Sequence, residues 1–169
     1  AYKSGAFLLL ICGGYQLMGK YYRDADGSEI KGLGLFDYYT VAPASRRKRC
    51  IGNIVIETQK TGVPVKVVGF ENHGGQTMGV KSQFGKVLCG NGNCSKSEDE
   101  GYCEKNVIAT YLHGPLLAKN PEISDHIIGY CMQRKLNAGG SAEKYELPKL
   151  DDTLEIKCRS VMLERLLKK

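Results

Sequence analysis

The sequence predicts an α/β protein with a central, mostly parallel sheet flanked by helices. A short, wholly apolar stretch at 7–11 and a short, largely apolar one at 107–111 are too brief for helices. They lack the alternation of half-exposed strands, as strands buried on both faces of a parallel sheet do. Two β-branched runs, 51–58 and 65–70, fill the middle of the chain. Helical patterns close it, at 121–136 and 152–168, with acids early and basic residues late, matching the polarity of a helix. With 169 residues, 42% hydrophobic and 25% charged, the chain has the size and composition of a single domain, 1–169.

The first apolar run stops abruptly at Cys12-Gly13-Gly14, and residues 15–22 then mix helix formers with apolar positions. Strand, sharp glycine turn and helix therefore follow directly, which places Cys12 at a strand-to-helix elbow. Residues 24–27 read as a turn and 32–39 as an extended or irregular segment. The strands 51–58 and 65–70 are separated by Gly62 and Pro64. Glu71-Asn72-His73-Gly74-Gly75 reads as a loop, 87–89 as a strand, and 90–101, polar and glycine-bearing, as an exposed hairpin or loop. The apolar run at 107–111 is ended by Leu112-His113-Gly114-Pro115, and 137–149 is linker-like.

Composition removes several classes of function. The longest apolar run, 6–12, is far below the roughly 20 residues of a membrane-spanning helix, and nothing resembles a signal peptide, so the cytoplasm is the expected compartment. Seven cysteines at irregular spacings imply reduced thiols rather than a disulfide framework. The net charge of +6 includes one dense basic run, Arg46-Arg47-Lys48-Arg49, but no aromatic residues interleave with it, so nucleic acid is not the expected partner. Cys89, Cys94 and Cys103 lack the paired spacing of a zinc site, and no phosphate-binding loop is present; neither metal, cofactor nor bound ATP is expected.

A cysteine at a strand-to-helix elbow lies at the carboxyl edge of the sheet and faces the positive end of a helix, an arrangement expected to lower its pKa. The Gly13 N–H can donate to the oxyanion formed when Cys12 attacks a carbonyl. The same spacing also suits a buried structural cysteine beside a glycine turn. His113 should sit at another strand end on that edge, where ligands of open α/β sheets bind, and an imidazole can take a thiol proton and return it to a leaving amine. A satisfied surface histidine is the plainer alternative. His73 and His126 are the only other histidines, and His126 falls within a helical pattern that suits packing.

Together, Ile11-Cys12-Gly13-Gly14-Tyr15-Gln16, Gly69-Phe70-Glu71-Asn72-His73-Gly74-Gly75 and Tyr111-Leu112-His113-Gly114-Pro115 resemble, in order, the class I glutamine amidotransferases of the cobyric acid synthase (CobB/CobQ) type. Within that group, residues 32–37, 49–57 and 112–123 are similar to the GatD-type glutaminase subunits of lipid II isoglutaminyl synthases. The resemblance implies a flavodoxin-like three-layer fold and hydrolysis of glutamine through a Cys12 thioester with His113 as acid and base. It implies that Arg49 binds the glutamine α-carboxylate, that Gln16 lines the pocket, and that the segment of Glu71, Asn72 and His73 supports the substrate. The ammonia would pass to a Mur-ligase-like subunit, MurT, which binds ATP and lipid II at the inner face of the membrane.

Members of this family carry several strands before the nucleophile strand, with a glycine-rich loop that supplies a second oxyanion donor. Here the nucleophile is residue 12, so the chain is expected to lack those strands. No acid follows His113 at the usual two-residue spacing; in the resembling complexes an aspartate of the partner orients the histidine. Competing readings are a glutaminase domain that amidates a corrinoid carboxylate, and a non-catalytic binding remnant of the fold.

Overall fold

In the computed structural model, which describes residues 2–44, 49–62 and 65–168, strand β1 (Leu8–Ile11) runs parallel to β11 (Val107–Thr110). Their register runs from Leu8 opposite Val107 to Ile11 opposite Thr110, and β10 (Tyr102–Glu104) pairs antiparallel on the far side of β11. The largest sheet is antiparallel, in the order β12 (Leu112–His113), β6 (Val65–His73), β5 (Cys50–Thr58), β8 (Gly85–Cys89) and β9 (Asp99–Glu100). The third contains β3 (Glu29–Lys31), β2 (Tyr21–Arg23), β4 (Tyr39–Val41) and β7 (Gln76–Met78), with β2 and β4 parallel. Among the described residues a 3-10 turn (Tyr2–Ser4) and four α-helices complete the fold: α1 (Gly13–Met18), α2 (Leu116–Lys119), α3 (Pro121–Ala138) and α4 (Thr153–Leu167).

The architecture is mixed α/β with several sheets. The sequence predicts a mostly parallel sheet, yet among the described residues parallel pairing is confined to β1–β11 and β2–β4. The long strands explain the difference. In β6, Lys66, Phe70 and Asn72 point outward while Val67, Glu71 and His73 point inward. That is the alternation of an antiparallel strand, but two inward positions are polar, which hides the period in the sequence. For the same reason the segment from Glu71 to His73, read as loop, is strand paired with Cys50, Ile51 and Gly52 of β5. The helix expected over 15–22 stops at Met18, where the backbone of Gly19 turns extended (ψ −171°) and packs on Tyr38; a Cβ there would lie 2.7 Å from Tyr38 Cδ2. The linker reading of 137–149 agrees with the absence of regular structure after α3.

Two cores lie on either side of β11. Ile108 faces a cluster with Ile54, Ile56, Val67, Leu112 and Ile123, whereas Val107 and Ala109 face an aromatic cluster of Tyr15, Phe36, Tyr38, Tyr102 and Tyr111. Asn120, fully buried between α2 and α3, accepts the Val68 N–H at 2.9 Å and donates to the Val68 carbonyl at 2.9 Å, locking the helical corner onto β6. Helix α4 is tied to α3 by a fork between Arg159 and Glu122. Arg46, Arg47, Lys48 and Pro64 lie outside the described residues.

Candidate active site

Cys12 follows the last residue of β1 and caps α1 with φ 52° and ψ −105°, a region L-residues rarely occupy. Its N–H donates to the Thr110 carbonyl at 2.9 Å, extending the parallel ladder by one step, and its carbonyl accepts the Gln16 N–H at 3.0 Å. Both sides of the residue are held, so the strained turn persists and lifts the side chain to the carboxyl edge of β1. The Gly13 N–H faces the thiol and stabilises its charged form. A Cβ on Gly13 would meet no protein atom, so packing does not demand glycine there.

The expected lowering of the Cys12 pKa is not what the site produces. Burial of the half-buried thiol is the largest influence and pushes it up; the Gly13 N–H and the Arg49 guanidinium pull it down by less. Helix α1 has only six residues, too few for a strong terminal dipole. The resting group is therefore a thiol, and attack on a carbonyl requires a base.

His113 is the residue that the sequence offers for that role. Cys12 is bonded to Thr110, the last residue of β11, and the chain then crosses at Tyr111 into the antiparallel sheet, where His113 pairs with Phe70. This crossing keeps His113 at the edge where β1 ends. Its Nδ1 lies 2.8 Å from the Tyr111 carbonyl and 3.1 Å from the Phe70 carbonyl. Two acceptors require a proton on Nδ1, which leaves the Nε2 lone pair free to take one. Backbone carbonyls thus stand where the sequence offers no acid.

Beneath the dyad lies a polar layer. The Tyr111 ring stacks on the His73 imidazole with centroids 3.6 Å apart. Its hydroxyl accepts a bond from Gln16 Nε2 at 3.1 Å and shares one with Thr77 Oγ1 at 2.6 Å, which continues to Thr40 Oγ1. Gln16 is therefore held at the site, and Gly75 leaves room for it, since a Cβ on Gly75 would come within 2.5 Å of its Nε2. His73 is buried, with Nδ1 at 2.7 Å from the Gly75 carbonyl and Nε2 at 3.8 Å from Glu71 Oε2, beyond hydrogen-bond reach but within that of an ion contact. Burial pushes the Glu71 carboxyl up. The His73 ring and the Asn91 and Gly92 donors outweigh it and leave the group below its ordinary pKa.

Arg49 crosses the outer face of the site. Its Nη2 donates to Asn72 Oδ1 at 2.8 Å, and it borders a cleft with Tyr22, Asp24, Asp26, Pro43 and Gly74. Both Arg49 and Tyr22 are close enough to Cys12 to influence its charge or be influenced by it. The structure thus groups Cys12, Gly13, Gln16, Arg49, Asn72 and His113 around one edge, while the side chain of His73 faces inward. His126 packs edge-on against Phe7 in α3. Among the described residues no three His, Cys, Asp or Glu side chains are placed to hold a metal ion, and no helix is long and apolar enough to cross a membrane. Thr110 and Glu100 were not marked by sequence, and Tyr111 only as the first residue of the motif around His113. Tyr111 stands within the apolar run before His113, where a hydroxyl at a strand end was the available signal.

A thiol on a strained elbow, an adjacent amide and an imidazole at the same edge are the parts that cysteine-dependent attack on a carbonyl uses. The family model that matches residues 1–121 is the CobB/CobQ-like glutamine amidotransferase domain, and the chain belongs to that family. It is 41% identical over 157 residues to the lipid II isoglutaminyl synthase (glutamine-hydrolyzing) subunit GatD of Staphylococcus aureus, covering 93% of this chain and 60% of that protein. Against the GatD subunit of Streptococcus pneumoniae the identity is 36% over 149 residues, covering 87% and 54%. A probable cobyric acid synthase of Methanococcus maripaludis is 32% identical over 142 residues, 79% of this chain and 28% of that protein. The chain thus spans little more than half the length of the GatD relatives.

Proposed function

We propose that the chain carries the glutaminase site of a lipid II isoglutaminyl synthase. The observation that carries this reading is the joining of Cys12 and His113 through the Cys12–Thr110 ladder bond and the crossing at Tyr111. Glutamine binds with its α-carboxylate on Arg49, taking the place of Asn72, and its side-chain amide over Cys12. Gln16 lines the pocket, and the Asn72–His73 strand end supports it from below. His113 Nε2 removes the thiol proton as sulfur attacks the amide carbon, and the Gly13 N–H donates to the oxygen. The C–N bond then breaks, the proton passes from His113 to nitrogen, and ammonia leaves a glutamyl thioester. Water, deprotonated by the same Nε2, hydrolyses the thioester to glutamate and restores the thiol.

The ammonia passes to a Mur-ligase-like MurT subunit that binds ATP and lipid II and amidates the D-glutamate of the stem peptide at the inner face of the membrane. The relatives' names support lipid II over a corrinoid acceptor, with higher identity and greater coverage of this chain. The parallel pairing of β1 with β11 supports a central, mostly parallel sheet of the family's flavodoxin-like kind.

The test is glutamate release from glutamine with and without the Mur-ligase-like partner, for the wild type, Cys12→Ala and His113→Ala. Release that disappears in Cys12→Ala and drops at least about a hundredfold in His113→Ala is expected. Release that survives Cys12→Ala refutes the assignment.

A further inference from the structure

Glu100 is fully buried, and no step above uses it. Its Oε1 accepts the Tyr111 N–H at 2.7 Å and its Oε2 accepts the Thr110 hydroxyl at 2.8 Å. These residues mark the place where the chain leaves the β1–β11 sheet for β6. Tyr111 lies between two strands of different sheets, so its N–H has no ladder partner and the carboxyl provides one. Thr110 Oγ1 in turn accepts the Leu112 N–H at 3.0 Å. One buried acid thus secures the amides of both residues that precede His113, one directly and one through a hydroxyl.

The carbonyl of the same Tyr111 accepts from His113 Nδ1. We infer that Glu100 is a positioning residue for His113: by anchoring the crossing at Thr110 and Tyr111, it holds the nearer of the two carbonyls that select the Nδ1–H tautomer and leave Nε2 as the base. The inference rests on the reading of His113 as that base. Glu71, whose bonds go to Asn91 and Gly92, secures a neighbouring loop and contacts neither amide of the crossing.

Burial pushes Glu100 up to about 8, against donors from Tyr111 and Thr110, and Glu71 on β6 adds to the rise. Tyr15 on α1 also feels its charge. Both protonation states keep the two contacts, since a carboxylate accepts from the Thr110 hydroxyl and a neutral acid donates to it. Glutamine reproduces the neutral acid, whereas methionine fills similar space and makes neither bond.

The experiment compares wild type, Glu100→Gln and Glu100→Met in the full protein, reading the ring 15N signals of His113, assigned by their loss in His113→Gln, alongside glutamine kinetics. Wild type and Glu100→Gln are expected to hold a single Nδ1–H tautomer. Glu100→Met is expected to mix the two tautomers and lower kcat at least about tenfold, with KM changing less than about twofold. Glu100→Met that keeps the tautomer and kcat while melting earlier would make Glu100 purely structural and overturn the inference. Glu100→Gln that mixes tautomers as Glu100→Met does would overturn it too. If Glu100→Met does not fold, Thr110→Val and Thr110→Ser carry the same comparison: mixing is expected in the valine variant alone, and a single tautomer in Thr110→Val overturns the inference. A wild type that hydrolyses no glutamine even with the Mur-ligase-like partner refutes the glutaminase reading separately, because the 15N signals still report whether Glu100 orients His113.

Discussion

The backbone at Cys12 makes an unusual stability prediction. At an ordinary position, glycine is less stable than alanine by roughly 0.5–1 kcal/mol because it loses more freedom on folding. At φ 52° and ψ −105° the order should reverse. A non-glycine residue held in such a region costs roughly 1–3 kcal/mol, and the bonds to Thr110 and from Gln16 prevent it from relaxing. Cys12→Ala removes the thiol and keeps the strain; Cys12→Gly removes both. Subtracting the entropic penalty, Cys12→Gly should be more stable than Cys12→Ala by about 1 kcal/mol, or ~2–4 °C in melting temperature for a domain of this size. Urea and thermal unfolding of the two variants measure it, and both should be inactive, so that no catalytic difference enters. A glycine variant less stable than the alanine variant would mean that the elbow stores no strain.

Replacing Asn120 by alanine strands the Val68 N–H and carbonyl inside the protein and should cost at least about 3 kcal/mol, seen as a lower urea midpoint. The acid Glu100 is held near 8 in the folded chain, against an ordinary value of 4.5, so the native state carries a proton that the unfolded chain has lost between those limits. Stability from this group is therefore full below about 4.5 and lost as pH rises towards 8; Glu100→Gln should gain on the wild type across that window, and unfolding curves that stay parallel from pH 5 to 8 would contradict it. Arg49→Ala should raise KM for glutamine about ten- to a hundredfold, through loss of a charge-assisted bond, and should also shift iodoacetamide labelling of Cys12 to higher pH, because its charge draws the thiol down.

What was legible in the sequence was local. An apolar run that meets two glycines announces the elbow without any tertiary knowledge, and His113 is marked by the strand before it and the Gly-Pro after it. The crossing at Tyr111 was not legible, because two strands of different sheets lie end to end there and together read as one apolar segment. Glu71 and His73 were assigned to a loop since polar residues at inward positions imitate an exposed turn. Glu100 lay within a glycine-bearing polar stretch that reads as surface, yet β9 carries its side chain inside. Each miss is a buried polar group, and such groups are explained by partners distant in sequence. The thiol was misjudged for a related reason: the elbow motif shows the helix end but not the burial, and burial prevails.

That last balance bears on how the site is switched on. In the resting site the Arg49 charge is the main cation drawing the Cys12 thiol down, and Asn72 holds it with a neutral oxygen. A glutamine α-carboxylate placed on Arg49 would neutralise much of that charge and, by excluding water, deepen the burial that already raises the thiol. Substrate binding therefore cannot work by creating a free thiolate; it makes one harder to form. On the proposed mechanism the proton moves to His113 as the carbon–sulfur bond develops, when negative charge builds on the carbonyl oxygen and the Gly13 N–H donates to it. The tautomer of His113 then matters more than its basicity, since an imidazole with its proton on Nε2 has no acceptor to offer at that moment. On that reading, two backbone carbonyls and a buried acid serve the orientation of a single ring.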